Sequence, residues 1–205
     1  MKLAIFGASG ATGRHLVAQA LARGHRVTAL ARHLDSLPIV HARLQVVLGH
    51  MGQPDTVQQL VAGQDAVFSV LGVRGTGPVT VCSDGARAIV AAMRAAGTRR
   101  LIALSAYGAS ETGQASLMIR LVRAVLADKM RDKDAMEALV RASGLDWTLV
   151  RPPLLTNGKP SARYRAASDW QPGPFASIAR ADLAHFMLNG ALGTDRIGAA
   201  LNVSN

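Results

Sequence analysis

Cysteine, aromatic residues and long hydrophobic runs are all scarce in this sequence of 205 residues. Its single cysteine, Cys82, cannot form an internal disulfide, so we expect the protein in the cytoplasm and Cys82 as a small buried side chain. The first apolar run is cut at Gly7, whereas a signal-peptide core needs about 7 to 15 apolar residues. Stretches such as "AVFSVLGV" fall short of the roughly 18 residues that indicate a membrane span. We therefore predict a soluble, unexported protein with no membrane partner.

Acidic residues are also few beside the basic ones, with 13 Asp and Glu against 23 Lys and Arg and a formal net charge of +10. A basic chain raises nucleic acid as a partner. The basic residues are scattered, however, and two Trp, two Tyr and four Phe leave little to stack on bases. We interpret the charge as a solvated surface with some local phosphate contacts, and we do not expect nucleic-acid binding.

Short apolar runs alternate with segments of helical spacing along the chain. The predicted strands are "KLAIF", "RVTALA", "LQVVLG", "DAVFSVLG", "RLIALSA" and "WTLVRP", with a closing strand at about 200–203. Helices are predicted at about 12–23, 78–96, 116–143 and 180–192. Strands that are apolar on both faces, alternating with helices, favour an α/β fold with a doubly wound parallel sheet and helices on both faces. We predict one domain over 1–205, in which 152–179 is a loop-rich segment on the substrate side.

Three glycines, Gly7, Gly10 and Gly13, lie between the first predicted strand and the first helix. Glycines at such a turn allow a tight bend, a close approach of the backbone to phosphates, and close packing of the helix on the strand. The N-terminus of the following helix offers free N–H groups to an anion. The spacing is G-x-x-G-x-x-G rather than G-x-G-x-x-G, but its strand–turn–helix context indicates a dinucleotide site.

The second predicted strand ends on Arg32, where an acidic residue would favour NAD. A guanidinium bonded to the 2′-phosphate contributes about 1.5 to 3 kcal/mol, or roughly tenfold to a hundredfold in affinity. We therefore predict NADP(H) as the cofactor, with Arg32 on the 2′-phosphate and Arg14 or His33 assisting. Asp35 is the competing candidate at this strand end.

The segments "IFGASGATG", "VTALAR", "AGQDAVFSVLG", "DGARAIVAAMRAAG", "LVRASGLDWTLVRPP" and "RADLAHFML", in this order, resemble the atypical short-chain dehydrogenase/reductases. That family includes the NmrA-like proteins and the β-type biliverdin and flavin reductases. The resemblance implies a single-domain Rossmann-like protein that binds NADPH along the strand ends. It places the pyrophosphate of the cofactor at Gly7, Ser9, Gly10, Ala11, Thr12 and Gly13 and the 2′-phosphate at Arg32. Leu71 and Gly72 would flank the adenosine side, and Ser105 would lie near the nicotinamide. Beside the cofactor, the substrate pocket would be walled by Pro152, Pro153 and Leu154. His50 stands where many relatives have an adenine-binding aspartate, and we interpret it as a strand-end surface residue or a cofactor contact.

The Tyr-x-x-x-Lys pair that many reductases of this superfamily use as a proton donor is missing from the sequence. Aligned with the family, Lys133 takes the lysine position and Lys129 the tyrosine position. Lys133 could contact the nicotinamide ribose or form a surface pair with Glu137. Ser105 and Tyr107, at the end of the fifth strand, complete the candidate catalytic residues. We assign no metal site.

A site poor in acids suits acceptors that collect a proton from solvent. We therefore predict an NADPH-dependent oxidoreductase that transfers hydride to a flavin, quinone or related conjugated acceptor. The alternative is a non-catalytic NADP(H)-binding redox sensor, as in the NmrA-like proteins. We expect a monomer or homodimer. The segment "ASLMIRLVRAVLADKM" is either a buried helix stripe or a partner contact, and core packing is the favoured interpretation.

Overall fold

The computed structural model of the protein describes residues 1–73 and 79–205, apart from the side chains of residues 191 and 192. The strands within this part of the chain are β1 (Lys2–Phe6), β2 (Arg26–Ala31), β3 (Leu44–Leu48), β4 (Ala66–Ser69), β5 (Arg100–Leu104), β6 (Asp146–Arg151), β7 (Leu154–Thr156), β8 (Arg165–Ala167), β9 (Ser177–Ala179) and β10 (Ala199–Ser204). The helices are α1 (Ala11–Ala22), α2 (Pro54–Val61), α3 (Val81–Ala96), α4 (Leu117–Val125), α5 (Ala127–Arg141) and α6 (Arg180–Leu192).

Eight of the strands form one sheet in the order β3-β2-β1-β4-β5-β6-β10-β8, in which β8 alone is antiparallel to its neighbour. The chain moves outward from β1 through β2 to β3 and then returns to place β4 on the other side of β1. The crevice between β1 and β4 is therefore the point where the winding reverses. In open α/β sheets, ligands bind at this point, beyond the carboxyl ends of the strands.

Both faces of the sheet are buried, as predicted for strands without polar alternation. Leu3 and Ile5 of β1 face the side covered by α1 and α6, whereas Ala4 and Phe6 face the side covered by α2, α3 and α5. The predicted α/β fold with a doubly wound sheet and helices on both faces is confirmed. The predictions of one domain and of a substrate-side segment at 152–179 stay predictions.

The helix predicted at 116–143 is wrong as a single element, because α4 ends and α5 begins around Leu126. Helix α5 packs against α3 through buried Met136 and Val140, whereas α4 has no buried residue. A straight helix could not follow both paths. The core-packing interpretation of this segment is wrong for α4.

Two further differences concern short elements. The sequence prediction missed α2, which has eight residues and only three buried side chains, and it missed the three-residue strands β7, β8 and β9. The predicted start of the helix at 78–96, Pro78, lies outside the described residues. No helix in the described ranges combines the length and the apolar character needed to cross a membrane.

Candidate functional site

The turn between β1 and α1 is built from backbone contacts that leave no room for side chains. Gly7 has φ +81°, and a Cβ there would lie 2.6 Å from the carbonyl oxygen of Val70, just beyond β4. At Gly13, a Cβ would lie 2.8 Å from the Cα of Ala8 and even nearer to the Gly7 oxygen. The N–H of Gly10 donates to the Gly7 oxygen at 3.0 Å and closes the turn. This loop therefore lies against the β1–β4 crevice and requires glycine at Gly7 and Gly13.

The N-terminus of α1 opens at this turn, and no side chain in the described part of the chain caps its backbone donors. Gly10 is the N-cap residue, and the first turn carries no acidic residue. Arg14 donates the first intrahelical bond, to the Gly10 oxygen at 2.9 Å, so the N–H groups of Ala11, Thr12 and Gly13 precede the helical ladder. Three such donors and the positive end of the helix dipole are the features that an anion-binding site requires.

Two arginines flank this site on the β2 side. Arg14 donates from Nε to the Ser9 oxygen at 3.1 Å and from its guanidinium to the Ser36 oxygen at 3.1 Å, so it joins the glycine loop to the segment after β2. Arg32 and His33 follow β2 directly and are exposed, as is the competing Asp35. The structure thus brings Arg14 and Arg32 to the same edge as the glycine turn.

The predicted adenosine-side residues lie at the ends of β3 and β4. His50 is exposed, and its ring Nδ1 accepts from the N–H of Gly52 at 3.2 Å, which fits the strand-end interpretation. Leu71 is half-buried and packs on the side of the sheet covered by α3, and Gly72 is exposed; both follow the end of β4. The structure places all three at the carboxyl edge of the sheet.

Lys133 of α5 bonds to the main chain at that same edge. Its Nζ donates to the Leu104 oxygen at 2.6 Å and to the Leu71 oxygen at 3.3 Å, so it ties the ends of β4 and β5 together. The surface pair with Glu137 that the sequence left open does not form, because Glu137 is bound elsewhere.

Cys82 lies beside Lys133 and is buried, as predicted. Burial raises the pKa of its thiol, although the neighbouring Lys133 opposes that shift. Asp132 accepts from the N–H groups of Cys82 and Ser83, both at 2.8 Å, and so caps α3 from a different helix. Cys82 is therefore a neutral packing residue near neutral pH rather than a nucleophile.

Ser105, the predicted nicotinamide-side hydroxyl, belongs to a buried network that the sequence prediction missed. Its Oγ donates to Glu137 Oε1 at 2.5 Å, and Glu137 is fully buried. Arg151, at the end of β6, donates to both Glu137 oxygens and also to both oxygens of Glu111, the latter at 2.8 and 2.9 Å. Arg151 is only 1% exposed, so its charge is balanced inside the protein by two carboxylates.

This network joins the loop after β5 to β6 and α5. The hydrogen bonds from Arg151 hold the pKa of Glu111 at about 2, below its usual 4.5. Since Ser105 donates its proton to Glu137, its oxygen can only accept a further hydrogen bond. An arginine inside the apolar run "TLVRPP" was the one available sequence signal for such a pair, because a buried charge needs a partner.

Tyr107, Pro152 and Pro153 lie next to this network, in the loops after β5 and β6. The N–H of Tyr107 donates to the Pro152 oxygen at 2.8 Å, which couples the loops after β5 and β6. Burial raises the pKa of the Tyr107 phenol, so the ring remains neutral and is a weak acid near neutral pH. Pro152 is buried, Pro153 is half-buried and Leu154 is exposed at the start of β7.

Comparison with known proteins gives a consistent result. The profile of a family described as NAD(P)H-binding matches residues 7–192. The (4-alkanoyl-5-oxo-2,5-dihydrofuran-3-yl)methyl phosphate reductase of Streptomyces griseus is 30% identical over 214 aligned positions, which cover 98% of this chain and 66% of that protein. This chain thus spans about two thirds of that relative's length and under half the length of several other curated relatives.

Solved structures share the whole fold at low identity. The oxidoreductase ylbE from Lactococcus lactis superposes with a TM-score of 0.88 at 21% identity and covers 100% of this chain and 91% of its own. ChuY, an anaerobillin reductase from Escherichia coli O157:H7, has a TM-score of 0.86 at 20% identity and covers 99% of this chain and 96% of its own. These similarities establish the fold of the region that carries the glycine turn.

Proposed function

This chain belongs to the NAD(P)H-binding family, and on that premise we propose that it is an NADPH-dependent reductase that passes hydride to a flavin, quinone or related conjugated acceptor. The observation that carries the proposal is the uncapped N-terminus of α1, held in the β1–β4 crevice by a glycine turn and flanked by an exposed arginine after β2. The match to the NAD(P)H-binding family and the similarity to a curated reductase support the same chemistry.

The glycine turn fits a dinucleotide pyrophosphate. A Cβ at Gly7 or Gly13 would occupy space that the backbone already fills, and the three uncapped N–H groups of α1 are the donors that an anion needs. Ser9, Gly10, Ala11 and Thr12 complete the cradle. When bound there, NADPH supplies the hydride.

Cofactor choice depends on Arg32. Its exposed guanidinium follows β2, where the adenosine ribose lies in dinucleotide folds of this topology, and it suits a 2′-phosphate. Arg14 is already fixed between the glycine loop and Ser36 and adds positive charge beside it. His33 is the second assisting group. We therefore assign NADPH rather than NADH as the preferred reductant.

On the nicotinamide side, Lys133 and Ser105 have separate tasks. Lys133 fixes the ends of β4 and β5, and its ammonium group lies at the edge where it would contact the ribose. The Ser105 oxygen, whose proton is donated to Glu137, accepts from the carboxamide NH₂. Ser105→Ala should then slow turnover by less than about tenfold, because one neutral hydrogen bond contributes about 1 kcal/mol.

The chemical class of the acceptor is inferred from the weak acids in this site. Among the residues the structure describes at this edge, Tyr107 stays neutral, and Ser105 and Lys133 are engaged in hydrogen bonds. A conjugated acceptor would take the hydride, with NADP⁺ as the oxidised product, and the accompanying proton would come from water. Segment 152–179, with exposed Leu154 at its start, supplies the acceptor wall.

The test is NADPH oxidation by the purified protein against a panel of free flavins and quinones, with NADH in parallel. We expect turnover above the protein-free rate with NADPH and slower turnover with NADH. The Gly13→Ala variant should lose activity. Gly190→Ala should retain it, because no described atom outside the backbone of its own helix lies within 4 Å of a new Cβ there. NADPH binding by titration without turnover on any acceptor would contradict the reductase and favour the redox-sensor alternative.

A further inference from the structure

Helix α4 exposes an apolar stripe to solvent, which we call the α4 surface. It consists of side chains spaced as one face of a helix, namely Leu117, Met118, Leu121, Val122, Val125 and Leu126. Leu117, Leu121 and Val125 are 71%, 57% and 83% exposed. An apolar helix face in water indicates a binding surface, because isolated apolar residues are common on proteins but contiguous stripes are not.

The opposite side of α4 fixes this orientation. Arg123 donates to the Gly108 oxygen at 2.6 Å and pairs with Asp134 at 2.7 Å. The Ile119 side chain lies close to Gly108, and the Ser116 hydroxyl accepts from the Ile119 N–H to cap the helix. Helix α4 is thus attached by the face that carries Ile119 and Arg123, and the stripe points away from the protein.

Other exposed apolar side chains lie at the same edge of the sheet. Leu154 follows β6, which neighbours β5, and α4 follows β5. Leu154 is 67% exposed, and the β7–β9 register pairs it with Ser177, two residues from Phe175, which is 88% exposed. Exposed apolar side chains therefore lie at the same edge of the sheet as the candidate cofactor site.

Positive charge accompanies the stripe. Helix α4 carries no acidic residue. Within the described residues, Arg120 of α4 and the following Lys129 form no ion pair, whereas Arg123 and Arg131 are paired with Asp134 and Asp128. The whole chain has a net charge of +10. A leucine- and valine-rich helix face that is bordered by basic residues is typical of segments that lie in the plane of a membrane surface and prefer anionic lipids.

A second copy of the chain fits this surface less well. An interface of standard size takes about 800 Å² from each partner. A nine-residue helix is only about 14 Å long and about 10 Å wide, so one of its faces supplies a small part of that area. Self-association would also bring together two molecules that each carry a net charge of +10.

We propose that the α4 surface docks the protein on an anionic lipid bilayer. In this arrangement α4 lies flat in the headgroup region, and the carboxyl edge of the sheet faces the membrane. The inference goes beyond the proposed reductase and does not depend on it. It replaces the expectation of no membrane partner, which rested on the absence of spanning segments.

Vesicle flotation tests this proposal with the full chain. The probe is unilamellar vesicles of equal parts phosphatidylcholine and phosphatidylglycerol, compared with pure phosphatidylcholine vesicles. Leu121→Gln/Val125→Gln removes two apolar anchors without changing charge. Val40→Gln is the matched control, because Val40 is fully exposed and precedes β3 at the opposite edge.

We expect the wild type and Val40→Gln to float with the anionic vesicles, and the double variant to bind about tenfold more weakly or worse. In parallel, a tryptophan introduced as Leu121→Trp should shift its emission to the blue when the anionic vesicles are added. Absence of vesicle binding would overturn the proposal, as would equal binding by the double variant. A homodimer in light scattering that is lost in the double variant, without vesicle binding, would identify a second copy as the occupant and overturn it too.

Discussion

The substitution Gly13→Ala tests the packing of α1 on β1 most sharply. A Cβ at this position lies 2.8 Å from both the Cα and the oxygen of Ala8, and these are backbone atoms that cannot rotate away. Helix α1 must therefore move relative to the turn. Overpacking of this kind costs about 1 to 3 kcal/mol, and replacing a helical glycine by alanine returns up to about 1 kcal/mol. We expect a net loss of about 1 to 2 kcal/mol in the free energy of unfolding.

The same movement displaces the N–H groups at the start of α1. NADPH affinity should then fall about tenfold or more, since two misplaced hydrogen bonds to a charged group exceed 1.4 kcal/mol. Urea unfolding and calorimetric titration measure the two effects. Gly190→Ala is the matched control and should be neutral or slightly stabilising. If Gly13→Ala unfolded and bound NADPH as Gly190→Ala does, the packing argument would be refuted.

Two further predictions concern charged groups near the site. Because Arg151 lowers the pKa of Glu111 from 4.5 to about 2, this pair stabilises the fold fully above about pH 4.5 and loses that contribution as the pH falls toward about 2. The Glu111 side chain is 61% exposed, so solvent screening limits this contribution to about 1 kcal/mol. The free energy of unfolding of the wild type should fall between neutral and acidic pH, and in Glu111→Gln that fall should be smaller by about 1 kcal/mol. Lys133→Met removes the ammonium donor from the Leu71 and Leu104 oxygens, and it should weaken NADPH binding about tenfold while circular dichroism stays native. Unchanged affinity in that variant would exclude Lys133 from the cofactor site.

Local features of the site could be predicted from the sequence because they depend on local geometry. Gly7 needs positive φ and close backbone contact, and both requirements leave glycines at fixed spacing between a strand and a helix. Arg32 follows directly from the end of β2. Such signals are contained in a dozen neighbouring residues, so one sequence is enough to detect them.

Tertiary partners could not be predicted in this way. Glu137 looked like a helix-surface partner of Lys133 at i, i+4, but Arg151, 14 positions along the chain, lies closer in the folded protein and binds it instead. A pattern of charges on one helix does not indicate which strand end will approach it.

The α4 surface shows a second limit. Hydrophobic periodicity identifies an amphipathic helix, but it is the same whether the apolar face meets the core, a partner or a lipid. Leu121 and Val125 have the spacing of core residues and are nevertheless exposed, because α4 is attached through Arg123 on its other side. The path of the chain around Leu126 decides the outcome, and no composition signal marks it.

The relative affinity for NADPH and NADH, measured by calorimetric titration of the wild type and of Arg32→Ala, tests the central claim most directly. Arg26→Ala is the control, since Arg26 is an exposed arginine at the other end of β2. We predict that the wild type and Arg26→Ala prefer NADPH and that Arg32→Ala lowers this preference about tenfold or more. An unchanged ratio in Arg32→Ala would contradict the assignment of the 2′-phosphate to Arg32 and, with it, the choice of NADPH.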